Sequence, residues 1–464
     1  MKNLTVNGKG SLLNGTTFIY PKGEEVAFDD LEEFIQSNGS LAKDYKANLD
    51  MYLGDHEILT DTTEKNGPNN KLVANLAHYI VDTFNGFFMG IPPKITIDEK
   101  NKNENLQQWN DTNSLQDKLN ELSKQTDIYG RSFAFLYQNE DSETEIAYSS
   151  PLNAFMIYDD SIGHIPVAFV RYQYDEGNKL SGTVYLADEI KEFSGDGFIE
   201  SDEPSVNQFG IVPAVEFYAN EERQGVFENV KTLINGLDKA LSQKANQNEY
   251  FDNGYLKILG ADLDTDGDGK PDIDLTDNGI IYSPDQAAAD AVVEFISKPD
   301  GDSMQEHLLD RLSSMIFQIS MVPNLNDEAF SGNSSGVALQ YKLLAMRNLA
   351  ASKERKFTQS LRRLYRIAFK AGTILPEKES DSWQDLKFQF TRNMPVNLAD
   401  EADTASKLQG IVSKETQLST LSIVDDPKAE IGRMADEQKE ADKQLADSNP
   451  ANYDFNQQNN DKEQ

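Results

Sequence analysis

The chain has 464 residues, and 78 acidic against 43 basic side chains give it a formal net charge of −35. It has no cysteine, which excludes a disulfide framework, a thiolate nucleophile and a zinc–thiolate site. So acidic a surface is a poor one for gripping DNA or anionic lipid with the whole molecule, while 24 Phe and 18 Tyr exclude disorder throughout.

The opening residues, Met1-Lys2-Asn3-Leu4-Thr5-Val6, lack the apolar stretch of a signal peptide, so export by that route is not expected. The first 20 residues carry no strong periodicity. Asp29 and Asp30 read as caps of a helix over 31–36, and Asn38-Gly39-Ser40 as a break before a second helix to about residue 53. Residues 70–90 predict an amphipathic helix with Leu72, Leu76, Ile80, Val81 and Phe84 on one side, stopped by Gly90 and Pro92-Pro93. This most hydrophobic stretch also holds Asn75, His78, Asp82 and Asn85 and cannot span a bilayer as it stands. A further helix covers about 115–127. From 131 to 218 the period becomes alternating, with strands at 132–137, 145–148, 154–158, 166–174, 182–186 and 211–218. Short turns at this spacing predict an antiparallel sheet with the preceding helices on one face, an α+β arrangement.

Residues 221–250 and 303–322 are again helical and bracket a compact insertion, 251–300, with strand-like 255–259, 279–282 and 291–296. That pattern reads as a two-helix stalk carrying a small α/β head, with the two ends of the insertion close together. A very long helix is expected from 336 to about 370, a strand at 383–390, and helices over about 398–410 and 427–445. The Asn/Gln/Asp-rich stretch 447–464 reads as disordered.

Gly332-Asn333-Ser334-Ser335-Gly336 fits the G-x-S-x-G pattern of serine hydrolases, which requires a preceding strand and a later His. All four His (56, 78, 164 and 307) lie upstream and 326–330 does not read as a strand, so Ser334 or Ser335 is better read as a cap of the long helix. In the acidic cluster 264–272, Asp264, Asp266, Asp268 and Asp272 surround a glycine-tight turn in the manner of a Ca²⁺ loop. The Glu expected at the twelfth position is replaced by Leu275, and an exposed acidic hairpin tip is the competing reading. A Ca²⁺-binding acidic surface or carbohydrate-active protein is therefore the rival functional class. No phosphate-binding loop or H-E-x-x-H motif occurs, and nothing argues for catalysis or a required cofactor. One basic run stands out: Lys353, Arg355, Lys356, Arg362, Arg363 and Arg366 fall on a helix with Phe357, Leu361 and Leu364. They predict a positive helix face that meets DNA phosphate or an acidic surface on a neighbouring subunit, the second being favoured.

Leu308-Leu309-Asp310-Arg311-Leu312, Met321-Val322-Pro323-Asn324 and Ser335-Gly336-Val337-Ala338-Leu339-Gln340-Tyr341 resemble the portal proteins of tailed bacteriophages, of the siphophage type found with Gram-positive hosts. So do Asn70-Lys71-Leu72, Met89-Gly90-Ile91-Pro92, Asn220-Glu221-Glu222-Arg223, Arg392-Asn393-Met394-Pro395 and Ser413-Lys414-Glu415-Thr416. The likeness keeps a consistent order over about residues 70–440; the acidic loop 262–274 and the two chain ends depart from it.

The resemblance implies a homo-oligomeric ring, typically of about twelve subunits, at one vertex of the capsid and assembled in the host bacterial cytoplasm. Its implied partners are double-stranded DNA in the channel, terminase, major capsid and scaffolding proteins, and a head-completion or adaptor protein, with no membrane. It also implies an N-terminal arm (1–25), a wing (26–220), a stem (221–250 and 301–323), a clip (251–300) and a tunnel loop (324–336). A long kinked helix with a wing strand (337–395), a helical crown (396–446) and a disordered tail (447–464) would complete the chain. Asn324, Asn326, Asp327, Glu328, Ser331, Asn333, Ser334 and Ser335 would then face DNA. A loop of that composition is polar and not basic. It would repel phosphate over roughly one Debye length, about 8 Å, rather than hold the strand by releasing counterions.

Overall fold

In a computed structural model that describes residues 8–62, 68–195, 197–199, 205–252, 256–259, 280–283, 292–295, 302–325, 340–394, 398–421, 423–424 and 427–447, helix α1 runs unbroken over Phe28–Leu53. The break expected at Asn38-Gly39-Ser40 does not occur. Asn38 is buried, and its amide donates to Pro151 O at 3.2 Å and Tyr172 Oη at 3.0 Å. These bonds outweigh the roughly 1 kcal/mol that glycine costs inside a helix. The helix ends at Gly54, whose φ of 95° is left-handed.

The first 20 residues are not featureless. Strands β1 (Ser11–Leu13) and β2 (Thr17–Tyr20) form a hairpin too short to show a period. A three-residue strand β3 (Lys94–Thr96) precedes β4 (Arg131–Gln138), β5 (Thr144–Ser149), β6 (Ala154–Asp159) and β7 (Pro166–Tyr174). Then come β8 (Leu180–Tyr185), β9 (Glu189–Ser194), the short β10 (Gly197–Phe198) and β11 (Ser205–Val206), and β12 (Ala214–Tyr218). Apart from β3, these strands form two sheets rather than one. The larger has order β1-β2-β6-β7-β8-β9-β10 with β11 beside β9; the smaller is β12-β4-β5. Every pair in them is antiparallel except β2–β6, which is parallel.

The larger sheet is covered on both faces. Phe155, Ile157, Ala168 and Val170 meet Leu31, Phe34 and Ile35 of α1. The alternate residues Ala154, Met156 and Phe169 meet Phe133, Phe135 and Ala214 of the smaller sheet. Burial on both sides is why β6 and β7 read as almost continuous apolar runs.

Helices α2 (Glu57–Thr60), α3 (Leu76–Met89), α4 (Lys100–Thr112) and α5 (Leu115–Tyr129) precede β4. Only Leu106, Trp109 and Asn110 of α4 are buried, so its polar sequence carried little periodic signal. The helix expected from residue 70 begins only at Leu76. The preceding segment is extended because its backbone N–H groups are taken by side chains of α6 (Lys231–Asp252). Asn70 N donates to Asn246 Oδ1 at 2.5 Å, Leu72 N to Ser242 Oγ at 2.8 Å, and Ala74 N to Asp238 Oδ1 at 2.7 Å. Two residues of extended chain and four of helix advance by similar lengths, about 6–7 Å, so the two run in register.

The last turns of α6 lie against the first turns of α7 (Asp302–Ser320): Lys244 pairs with Glu306, and Gln305 Nε2 donates to Gln247 Oε1 at 2.7 Å. Both ends of the intervening module are thus together, as the stalk-and-head pattern requires. Its described strands, Leu256–Leu259, Ile280–Ser283 and Val292–Phe295, form a mixed three-stranded sheet.

Helix α8 (Leu344–Lys370) packs Phe357 on Phe217 of β12 and on Phe88 of α3, with ring centroids 5.2 and 5.4 Å apart. The strand expected at 383–390 is a 3₁₀ segment, Glu377–Asp385, followed by three strand residues, Lys387–Gln389, paired with β3. The chain divides into two compact units, Met1–Asn393 and Met394–Gln464. The second unit contains helices Leu398–Lys407, Lys414–Leu418 and Pro427–Asp447; Ser413 Oγ caps Thr416 N at 3.2 Å and Gln417 Nε2 donates to Ala405 O at 2.8 Å. No helix among the described residues is long and apolar enough to cross a membrane.

Candidate functional site: the cationic helix and its cleft

The basic run of α8 does not make one face. Its buried stripe is Met346, Ala350, Lys353, Phe357, Leu361, Leu364 and Ala368, so Lys353 points into the core instead of outward. The expectation that Lys353 belongs with the exposed cations is therefore corrected. The reason is helical spacing: residue 353 follows Ala350 by three and precedes Phe357 by four, on the apolar side.

Lys353 Nζ donates to both carboxylate oxygens of Asp127 at 2.7 Å, to Ser123 Oγ at 2.8 Å and to Ser123 O at 3.2 Å. Phe84, Phe88 and Phe357 surround the ammonium with ring centroids 5.2, 4.9 and 5.2 Å away. Burial pushes the Asp127 carboxyl up to about 6, against the opposing pull of Lys353. The pair clamps α8 to α5 and serves the fold.

The other cations divide. Arg355 is exposed, its guanidinium 3.1 Å from Ser352 Oγ. Lys356 pairs with Glu221 and stands over the Tyr218 ring at 5.5 Å. Arg362, Arg363 and Arg366 line a cleft of about 570 Å³ whose other walls come from the β1–β2 hairpin, β6 and the turn after it, β12 and the segment after it, and the 3₁₀ segment. Four guanidinium groups (Arg223, Arg362, Arg363, Arg366) and two carboxylates (Glu216, Glu221) line it, with His164, Tyr158, Tyr218 and Trp383.

Glu216 and Arg223 form the floor. Arg223 reaches Glu216 Oε1 at 3.3 Å, buried Arg131 reaches the same oxygen at 3.4 Å, and Tyr158 Oη donates to Oε2 at 2.8 Å. Burial opposes the charge of Glu216, but Arg131 and Arg223 outweigh it and hold the carboxyl below its ordinary range. This anion is fully engaged. By contrast, no acceptor among the described residues bonds Arg362, Arg363 or Arg366, and Arg363 Nε is buried without a partner. Arg362 lies over the Phe388 ring at 5.2 Å and Arg366 over Trp383 at 5.9 Å, so both guanidinium planes are held by packing rather than by charge.

Of the residues expected to face DNA, Asn324 is described, next to Leu325, whose N–H donates to Tyr79 Oη at 2.8 Å. Asn326, Asp327, Glu328, Ser331, Asn333, Ser334 and Ser335 lie outside the described residues, as do Asp264, Asp266, Asp268 and Asp272 of the acidic loop. Among the described residues no three acidic or His side chains gather in a metal-binding group. Sequence reasoning missed Tyr158, His164, Glu216, Arg223 and Trp383 as neighbours of the basic helix, since they come from five separate segments. It missed the burial of Lys353 despite a readable signal, its place on the apolar stripe.

A family model described as phage portal protein, SPP1 Gp6-like, matches residues 32–444. The portal protein of Bacillus phage SPP1 is 23% identical over 414 residues, which cover 82% of this chain and 78% of that protein. The match spans both helices of the stalk, the module between them, α8 and all of its cleft but the part from the β1–β2 hairpin. The chain belongs to the SPP1 Gp6-like phage portal proteins, a structural family and not an enzymatic one.

Proposed function

We propose that this portal protein assembles as a ring of about twelve subunits at one capsid vertex. There it forms the channel for DNA entry and exit, docks terminase during packaging and afterwards binds head-completion proteins. The observation that carries the reading is the family match over 32–444, most of the chain. The pairing of α6 with α7 beneath a small inserted sheet supports it, because such a two-helix pair presents a compact head at a fixed distance from the body.

On this reading residues 26–220 form the wing, α6 and α7 the stem, 251–300 the clip, 324–336 the tunnel loop and 396–446 the crown. The tunnel loop is a compliant, weakly repulsive collar: DNA slides past it because Asp327 and Glu328 cannot replace the counterions condensed on phosphate. Electron microscopy of the purified protein should show rings with a central hole; a strictly monomeric protein at high concentration and low salt would overturn the reading. Replacing Asp327 and Glu328 by Lys should impair packaging and leave rings intact. Unchanged packaging would remove the collar alone.

A further inference from the structure

We infer that the Arg362–Arg363–Arg366 cleft is the receptor half of a head-to-tail contact between copies of this chain. Its occupant is the acidic β4–β5 turn, Asn139–Glu143, of a second copy. The inference rests on the ring reading above and names the surface that closes the ring.

The cleft is built for a carboxylate. In a chain with 78 acidic side chains, three neighbouring guanidinium groups without an acceptor among the described residues are an unspent cation cluster. Two of them are already oriented by Phe388 and Trp383, so little side-chain freedom is lost when an anion arrives. The planar fork of arginine suits carboxylate and phosphate alike. Their number decides between them: Glu216 and Glu221 are already held by Arg131, Arg223 and Lys356, which leaves three guanidinium groups for the three carboxylates of Glu140, Asp141 and Glu143. The rim is also that of a protein interface. Ile162 is wholly exposed at the β6–β7 turn, Ile165 is 57% exposed, and Trp383 and Tyr218 line the cleft beside the arginines. Aromatic and Arg anchors with apolar neighbours are the usual centre of such contacts.

The β4–β5 turn has the matching charge. Asn139 Oδ1 accepts from the N–H groups of Asp141 at 3.0 Å and Glu143 at 2.9 Å, which holds the turn in one conformation before contact. Glu140, Asp141 and Glu143 are exposed on it. The turn and the cleft lie toward opposite ends of one sheet. Tyr218 of the cleft pairs with Arg131 at the start of β4, whereas the turn leaves from Gln138 at its end. A protrusion and a receptor at different places on the same chain give a heterologous contact, which closes into a ring or runs on as a filament.

The test is a charge swap read by sedimentation velocity and electron microscopy on the full chain, with circular dichroism as the check of fold. The Arg362→Glu/Arg366→Glu variant should be folded and lose rings, with at least a tenfold weaker association. The Glu140→Lys/Asp141→Lys/Glu143→Lys variant should do the same. Both sets in one chain should restore rings. A folded Arg variant that still forms rings overturns the inference, and so does a combined variant that stays dissociated while each single set is folded. Loss of binding to a short DNA duplex in the Arg variant, with rings unchanged, also overturns it and assigns the cleft to DNA. If the unaltered chain itself forms no rings, the ring reading fails instead.

Discussion

Lys353→Met isolates the buried pair that fastens α8 to α5. Methionine keeps the unbranched stem against Phe84, Phe88 and Phe357, so little packing is lost. What remains is an Asp127 carboxylate with no cation, and breaking a buried pair in this way costs about 3–5 kcal/mol. The same carboxyl gives the variant a pH dependence. Asp127 already sits at about 6 with Lys353 pulling it down, and its unfolded value is about 3.9. Removing Lys353 moves the folded value above 6. A carboxyl raised on folding contributes stability that is complete below pH ~4 and is lost as pH rises through the folded value. At about 1.4 kcal/mol per unit, the variant should lose at least ~3 kcal/mol of stability between pH 4 and pH 9, and only ~1.5 kcal/mol of that by pH 5. Urea unfolding followed by fluorescence of the two tryptophans measures it. Adding Asp127→Asn should recover most of the loss and remove the pH dependence. A variant within 1 kcal/mol of the parent at pH 8, or one equally weakened at pH 5 and pH 8, would refute the argument.

Two other predictions concern the joints of the body. His56 is buried with Nδ1 2.5 Å from Asp238 Oδ2 and Nε2 3.0 Å from Met51 O, two acceptors that a neutral ring cannot both satisfy. Burial opposes the charge, but Asp238 and the Met51 carbonyl outweigh it and raise the imidazole above its ordinary value. The stability it contributes is present below about pH 6.5 and is lost as pH rises through the folded value, at a cost of about 1–3 kcal/mol for the acceptor left bare. His56→Gln should flatten that slope in urea melts taken from pH 6 to pH 9; an unchanged slope would show that the ring is neutral throughout. Gly130 has φ +84° and a Cβ added there would lie 1.9 Å from Arg223 O. Gly130→Ala should therefore cost more than the 1–2 kcal/mol of left-handed strain alone, lowering the thermal midpoint; a loss below 1 kcal/mol would mean that the Arg223 segment yields freely.

Long elements were readable because burial writes itself into the sequence: β7 runs over Pro166–Tyr174, the stretch expected, and α5 extends the expected helix by one half-turn. Local signals misled where long-range bonds override them. Asn38 is held inside α1 by Pro151 and Tyr172, and residues 70–74 stay extended because Asp238, Ser242 and Asn246 take their N–H groups. The division of strands into two stacked sheets had no local cause either; it depends on Ala154, Met156 and Phe169 facing away from α1 toward Phe133 and Phe135.

The sequence by itself determined the α+β class, the bracketing of a small module by two helices, the family resemblance and the strong negative charge. Each is carried by composition, period or ordered motif. Only the tertiary structure decided what the basic helix does. Spacing puts six cations on one helix, but their neighbours come from β6, β12 and the 3₁₀ segment, far away in the chain. An ionisable side chain acquires its role from the dielectric and the partners around it, and these exist only after folding. Lys353 became a core clamp, Lys356 a partner of Glu221, and Arg362, Arg363 and Arg366 a cluster to which no acceptor among the described residues is bonded.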